Sequence, residues 1–159
     1  MAFEAFISYS TRDLSRARQV KRLLDRPGCS AYLAEYTLLP GEELDPAIIA
    51  AIQRCDVFVL LWSHYAKASE WVPQEIGIAK VLKKPIVPIV LHRSASPTGF
   101  LRGTKYLPLY KDPARGLQWL QTHVFEQATK KEQREGLTWL GLGAAFLWLL
   151  SRDKRRGGA

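Results

Sequence analysis

The sequence predicts an α/β protein with a doubly wound parallel sheet and helices on both faces of that sheet. The first observation is the run from Cys55 to Trp62, in which Asp56 is the only charged residue. A strand this apolar is typical of parallel sheets that are covered by helices on both sides. The second observation is that other short apolar runs alternate along the chain with segments of helical periodicity. Such alternation favours β-α-β units.

These patterns predict five strands and four helices, with a further helix at the C-terminus. The predicted strands are residues 2–8, 29–34, 55–62, 85–91 and 106–110. The predicted helices are residues 12–26, a segment that starts at Pro46, residues 70–82 and residues 114–130. In this order the elements give a flavodoxin-like, five-stranded architecture, followed by a C-terminal hydrophobic helix. Folds of this class bind ligands at the carboxyl ends of their strands, so the loops there are the first candidates for a site.

Capping and turn residues set the boundaries of these elements. Asp45 is placed to cap the second helix, with Pro46 at the first helical position. Ser69 is placed to cap the third helix, after a polar loop predicted at 63–69. The two prolines of the strand at 85–91 predict that it lies near an edge of the sheet or carries a bulge.

Composition excludes several classes of protein. With 47% hydrophobic residues, the 159-residue chain is long enough for one domain with a core, and it is not mainly disordered. Its 11 glycines and 9 prolines follow no period, which excludes collagen-like and repeat architectures. Cys29 and Cys55 lie in apolar runs and are predicted to be buried thiols, which favours a reducing compartment. Glu4 interrupts any early apolar run, so no signal peptide is predicted and a cytoplasmic location is expected.

The formal net charge of +8 is concentrated around a C-terminal apolar segment. Residues 130–135 and 151–159 together hold seven basic and three acidic residues, which is half of the excess. They flank residues 137–150, which are apolar apart from Thr138. Nucleic-acid-binding proteins usually spread basic residues along one face with aromatic residues between them. The arrangement here therefore predicts no nucleic-acid partner and favours an anionic lipid surface.

Three interpretations of residues 137–150 stay open. A helix of this length reaches ~21 Å, whereas a bilayer core is ~30 Å thick, so the segment is short for a membrane span. The first is a short anchor or membrane-lying helix at the inner face of the membrane. The second is a self-association helix that uses the small faces of Gly141 and Ala145. The third is a helix folded back onto the domain. The chain thus divides into a domain at 1–130 and a basic-flanked helix and tail at 131–159.

Several segments, taken in order, resemble a TIR (Toll/interleukin receptor/resistance) domain of the prokaryotic, NAD-cleaving type. They are Phe6–Ser10 near the start of the chain, Leu39–Gly41 at the position of the family's BB loop, 56–62 as the buried central strand, 69–77 around the third helix, and 84–89 after it. In the third predicted helix, Trp71 and Glu75 match the family's W-x-x-x-E pattern. The resemblance covers about residues 2–130.

The resemblance implies an NAD⁺ glycohydrolase or cyclase in which Glu75 is the catalytic residue and NAD⁺ is the substrate, with no cofactor. One carboxylate suits this chemistry, because nicotinamide leaves NAD⁺ as a neutral molecule and needs no proton. The carboxylate can accept hydrogen bonds from the ribose hydroxyls and stabilise an oxocarbenium-like transition state. The residues expected to contact the substrate are Trp71, Tyr9, Ser10, Arg12, Ser63 and Tyr36.

The resemblance also implies that self-association produces the active state. Family members work as assembled oligomers or filaments, in which the BB loop of one subunit completes the site of the next. Leu39, Pro40 and Gly41 are the expected assembly contacts. A resting state with little activity, a trigger for assembly, and a role in immune defence or NAD⁺ depletion follow as expectations.

Two other functions compete with the enzyme. A non-catalytic TIR scaffold would signal by pairing with other TIR domains through its BB loop, but the intact Trp71 and Glu75 pair favours the enzyme. A response-regulator-like domain is disfavoured, because Ser8, Tyr9 and Ser10 stand where an acidic cluster would be needed. The three histidines are scattered, so neither a metal site nor a Ser–His–acid triad is predicted.

Overall fold

The fold is built around a five-stranded parallel sheet. The computed structural model describes residues 1–34 and 44–153, with Phe100 and residues 138–153 described as backbone only. The strands are β1 (Phe3–Ser8), β2 (Cys29–Leu33), β3 (Val57–Trp62), β4 (Ile86–Val90) and β5 (Leu107–Pro108). They lie in the order β2-β1-β3-β4-β5, and each neighbouring pair is parallel. This is the predicted flavodoxin-like order, in which the direction of winding reverses between β1 and β3.

Helices cover both faces of this sheet. Among the described residues they are α1 (Leu14–Leu24), α2 (Pro46–Arg54), α3 (His64–Lys67), α4 (Val72–Val81) and α5 (Pro113–Asp153), with short 3₁₀ turns at Thr11–Asp13 and Gly99–Leu101. The Asp45 carboxylate accepts a hydrogen bond from the Ala47 backbone N–H at 2.7 Å, as its predicted role as the cap of α2 requires. Because the strands are parallel, the chain returns to the amino edge of the sheet before each new strand, and α1, α2 and α4 make the returns between β1, β2, β3 and β4.

Side chains of the central strands alternate between two hydrophobic clusters. Phe58 and Leu60 of β3 point into a cluster with α2 and α4, whereas Val59 and Leu61 point into a cluster with α1 and α5. All six residues of β3 are buried. The near-continuous apolar sequence of this strand follows from its place between the two clusters.

Two predicted segments, one loop and one strand, differ from the structure. The predicted polar loop at 63–69 is wrong, because it contains the single helical turn α3, whose Ala66 N–H is bonded to Ser63 Oγ at 3.0 Å. The predicted strand at 106–110 is only Leu107–Pro108, because the chain turns directly after it, with the Lys111 N–H donating to the Pro108 carbonyl at 3.1 Å. β4 lies next to this short edge strand, as its prolines predict.

The fourth predicted helix and the predicted C-terminal helix form one continuous helix, α5. Instead of ending near residue 130, α5 continues without interruption to Asp153. Its backbone therefore offers no turn at which the segment 137–150 could fold back onto the domain. Within the part of the chain that the structure describes, no helix is both long and apolar enough to cross a membrane. Membrane attachment and self-association through this segment stay predictions.

A carboxylate at the amino edge of the sheet ties α5 to the strands. Asp56 Oδ2 accepts hydrogen bonds from the Glu4 backbone N–H and from Lys131 Nζ, both at 2.8 Å. Lys131 Nζ also donates to the Ala2 carbonyl at 3.2 Å. The Lys131 side chain is only 18% exposed, so solvent weakens this ion pair less than it would a surface pair. The fold thus uses α5 beyond residue 130.

We expect Lys131→Met to lower the free energy of unfolding by about 1 kcal/mol, because it removes the cation that bridges Asp56 and Ala2. Urea denaturation followed by circular dichroism measures the change. The control is Lys130→Met, which changes an exposed lysine one residue earlier and should leave stability within about 0.5 kcal/mol of the parent. Equal effects of the two substitutions would contradict this account of the α5 contact.

Both cysteines are buried free thiols, as predicted. Burial raises the pKa of the Cys29 thiol to about 11 and that of the Cys55 thiol also to about 11, against an ordinary value of 9.0. The folded state therefore favours the neutral thiol. The stability that each thiol contributes is complete below pH 9, and it is lost as the pH rises from 9 towards 11.

We expect neither thiol to react appreciably with a disulfide reagent at pH 8 in the folded protein, because burial blocks access and suppresses the thiolate. In 8 M urea both thiols should react within minutes. Absorbance of the released reagent anion gives the number of reacted thiols over time. Fast reaction of one thiol in the folded state would show that this cysteine is accessible.

Candidate functional site

The candidate site lies where β1 and β3 end, at the carboxyl edge of the sheet. Ser8 is the last residue of β1 and is paired in register with Leu60 of β3. Ser63 directly follows β3. This is the reversal point of the sheet, which is the usual ligand-binding position of doubly wound folds.

Glu75 occupies a core position of α4. The buried residues of this helix are Val72, Glu75, Ile76 and Ala79, a spacing that places all four on the face towards the sheet. The exposed fraction of Glu75 is 0%. Apolar side chains normally fill such positions, since a buried carboxylate is costly unless it is hydrogen-bonded.

The carboxylate of Glu75 is bonded to the end of β1. Ser8 Oγ donates to Glu75 Oε2 at 2.5 Å, and both side chains are completely buried. The alternation of strand side chains directs Ser8 to the same face as Phe6, which is the face that α4 covers. A distance of 2.5 Å is at the short end of the range for a hydroxyl that donates to an oxygen.

The start of α4 places Trp71 beside Glu75. Ser69 Oγ accepts hydrogen bonds from the backbone N–H groups of Trp71 and Val72, each at 3.3 Å, which is the capping role predicted for Ser69. The Glu75 N–H donates to the Trp71 carbonyl at 3.0 Å, so the two residues are one helical turn apart. Trp71 is partly buried and packs against the cluster on the α4 face of the sheet.

A second serine–carboxylate pair lies at the same edge. Ser63 Oγ donates to Asp13 Oδ2 at 2.5 Å and accepts from the Ala66 N–H, so it also begins α3. Ser63 is 0% exposed and Asp13 is 8% exposed. Asp13 closes the 3₁₀ turn that follows β1, and its N–H donates to the Ser10 carbonyl at 2.7 Å.

The two pairs connect the strands reciprocally. Ser8 ends β1 and holds Glu75, which belongs to the helix that comes after β3. Ser63 follows β3 and holds Asp13, which belongs to the turn that comes after β1. Each strand end therefore fixes the element that its neighbour leads into. Sequence reasoning missed Ser8 and Asp13 as site residues, and for Ser8 the available signal was a serine at the end of a mostly apolar strand.

The other residues predicted to contact substrate have diverse surroundings. Tyr9 is 2% exposed, and its hydroxyl donates to the Ala34 carbonyl at 2.6 Å. Ser10 Oγ accepts from the Arg12 N–H at 3.4 Å. The Arg12 guanidinium lies 5.5 Å from the centre of the Tyr65 ring, and both side chains are exposed.

Tyr9 and Ser63 make bonds within the fold, so a contact with substrate would require an exchange of those bonds. The roles assigned to Tyr9, Ser10, Arg12 and Ser63 stay predictions. The predicted contact Tyr36 and the assembly residues Leu39, Pro40 and Gly41 lie outside the described residues. Within the described part of the chain, no cluster of three or more His, Cys, Asp or Glu side chains is arranged to hold a metal ion.

Solved structures share this fold. The TIR domain of the Toll-related receptor TRR-2 from Hydra magnipapillata superposes with a TM-score of 0.62 and 21% identity, covering 79% of this chain and 97% of that one. Clostridium botulinum CMP N-glycosidase BcmB gives a TM-score of 0.52 at 19% identity, with 74% and 97% coverage. The TIR domains of the activated Roq1 resistosome give 0.51 at 17% identity, with 80% and 84% coverage. At these identities the likeness shows the fold alone.

Sequence comparison places the chain in a family. A protein of Brachypodium distachyon described as "Probable 2' cyclic ADP-D-ribose synthase BdTIR" is 30% identical over 89 residues, which is 55% of this chain. The match spans only 40% of that plant protein. A family model described as "TIR domain" matches residues 5–130, which include Ser8, Asp13, Ser63 and Glu75. Since this match extends over most of the chain and the sheet has the fold of solved TIR domains, the chain belongs to the TIR domain family.

Proposed function

We propose that this chain is an NAD⁺ glycohydrolase that breaks the bond between nicotinamide and ribose, with a linear or a cyclic ADP-ribose as the second product. The observation that carries the proposal is the Glu75 carboxylate, which lies in a core position of α4 and is held by the Ser8 hydroxyl. The name of the Brachypodium relative, a cyclic ADP-ribose synthase, supports the same reaction class.

The energetics of this position support a functional role for Glu75. A buried carboxylate costs several kcal/mol even where hydrogen bonds offset part of the loss of water. The other buried positions of this stripe are filled by the apolar side chains Val72, Ile76 and Ala79, so packing alone does not account for a carboxyl group at residue 75. Side chains that are unfavourable for stability in this way are typical of functional sites.

The carboxylate fits the charge that develops during the proposed reaction. When the bond from C1′ to the nicotinamide nitrogen breaks, its electron pair stays with nicotinamide, and positive charge spreads over C1′ and the ring oxygen of the ribose. A nearby carboxylate stabilises that charge, and it does so more strongly in a site without water. Water then attacks C1′ and loses a proton to give ADP-ribose, or a nucleophile of the same molecule attacks to give a cyclic product.

The burial of Glu75 favours activity that depends on assembly. In the single chain the carboxylate is 0% exposed, so a ribose can reach it only after the residues that cover it move apart. We infer that association with a second subunit supplies the free energy for this opening. The resting chain would then be nearly inactive, because its binding-competent state is a small fraction of the population.

The same burial also favours one alternative function. A TIR domain that serves only as a scaffold for TIR–TIR contacts would need no access to Glu75, and the carboxylate would then be a buried polar group bonded to Ser8. The enzyme and the scaffold differ in one measurable property, which is the release of nicotinamide.

We expect Glu75→Gln to lower the rate of nicotinamide release by at least about 100-fold, because it removes the charge that stabilises the transition state. Concentrated protein is incubated with NAD⁺, and nicotinamide is quantified by chromatography with mass spectrometry. Glu70→Gln, which neutralises an exposed carboxylate five residues earlier, is the matched control and should keep the parent's rate. If the parent releases no nicotinamide at any concentration or in any assembly state, the scaffold is the correct function.

A further inference from the structure

We propose that Ser8 is a positioning residue for Glu75, an inference that rests on the proposed function. Ser8 Oγ and Glu75 Oε2 are 2.5 Å apart although the two residues are 67 positions apart in the chain. Neither side chain is exposed to solvent. The hydroxyl of Ser8 thus fixes where the carboxylate lies relative to the end of β1.

The donor of this bond is rigidly held. Ser8 ends a central strand and is paired with Leu60, which itself lies in the fully buried strand β3. A serine hydroxyl is placed by a single side-chain torsion, so the donor has little freedom once the strand is fixed. Side chains on rigid elements place catalytic groups more accurately than side chains on loops.

The acceptor needs such a restraint. A glutamate side chain has three rotatable bonds, and α4 by itself fixes only the point from which the chain leaves the helix. The hydrogen bond from Ser8 restrains the position of Oε2 and so narrows the range of orientations that the carboxyl group can adopt. A displacement of about 1 Å of a catalytic group can lower a rate by about 100-fold.

Comparison with the second serine–carboxylate pair separates positioning from helix capping. Ser63 donates to Asp13 at the same distance, but its oxygen also accepts the Ala66 N–H and begins α3. Ser8 is the last residue of a strand, and the helix that carries Glu75 is capped by Ser69 instead. The bond between Ser8 and Glu75 is therefore not needed to start a helix.

Two substitutions of Ser8 test the proposal in assembled protein with NAD⁺ as the substrate. We expect Ser8→Ala to lower kcat for nicotinamide release by at least about tenfold, with KM changed by less than about threefold, because the carboxylate loses its orientation while the rest of the site remains. Ser8→Thr keeps the hydroxyl and should retain kcat within about threefold of the parent. If Ser8→Ala does not fold, Ser8→Cys takes its place, since it keeps the volume and weakens the donor.

A control separates loss of position from loss of stability. Lys131→Met weakens the fold at the opposite edge of the sheet, and it should keep kcat at the parent's value while the protein remains folded. Equal kcat values for Ser8→Ala and the parent, or equal losses in Ser8→Ala and Ser8→Thr, would overturn the positioning role. In either case the proposed function would still hold, provided that the parent releases nicotinamide and Glu75→Gln does not. A parent that releases no nicotinamide would instead overturn the proposed function itself.

Discussion

The parallel pairing of β1 with β3 is the constraint on which the site depends. These two central strands end at the same edge of the sheet. Ser8 is the last residue of β1, and Ser63 directly follows β3. Ser8 and Ser63 reach across to carboxylates on the elements that follow the neighbouring strand. A shift of either strand by one residue would turn its own serine to the other face of the sheet. The pairing that builds the core therefore also sets the geometry of the polar groups at the edge.

The fold was largely predictable because its signals are local. The apolar run of β3, the capping of α2 by Asp45 and the prolines of β4 each indicated the element that the structure contains. The helical turn α3 was not predictable by periodicity, since its four residues are too few to show a repeat. The uninterrupted course of α5 was missed because the change from the charged residues 130–135 to the apolar residues 137–150 resembled a boundary.

The site was predictable only in part, because its bonds join distant parts of the chain. Glu75 and Trp71 were found through a short motif on one helix. Ser8 and Asp13 were not, since their partners lie 67 and 50 residues away and no local pattern encodes such a pair. The complete burial of Glu75 was also not predictable, because a glutamate near the start of a helix is most often a solvated charge favoured by the helix dipole.

The uninterrupted α5 connects the domain to the C-terminal segment by a continuous helix rather than by a flexible linker. At ~1.5 Å per residue its 41 residues form a rod about 60 Å long, roughly twice the diameter of a small domain. The first half of this rod is packed on the sheet, and Lys131 fastens it to the strand ends. A continuous helix couples the orientation of one end to that of the other, whereas a flexible linker only limits the distance between its ends. Whatever gathers the far tips of several such rods would also impose a common orientation on the domains they carry.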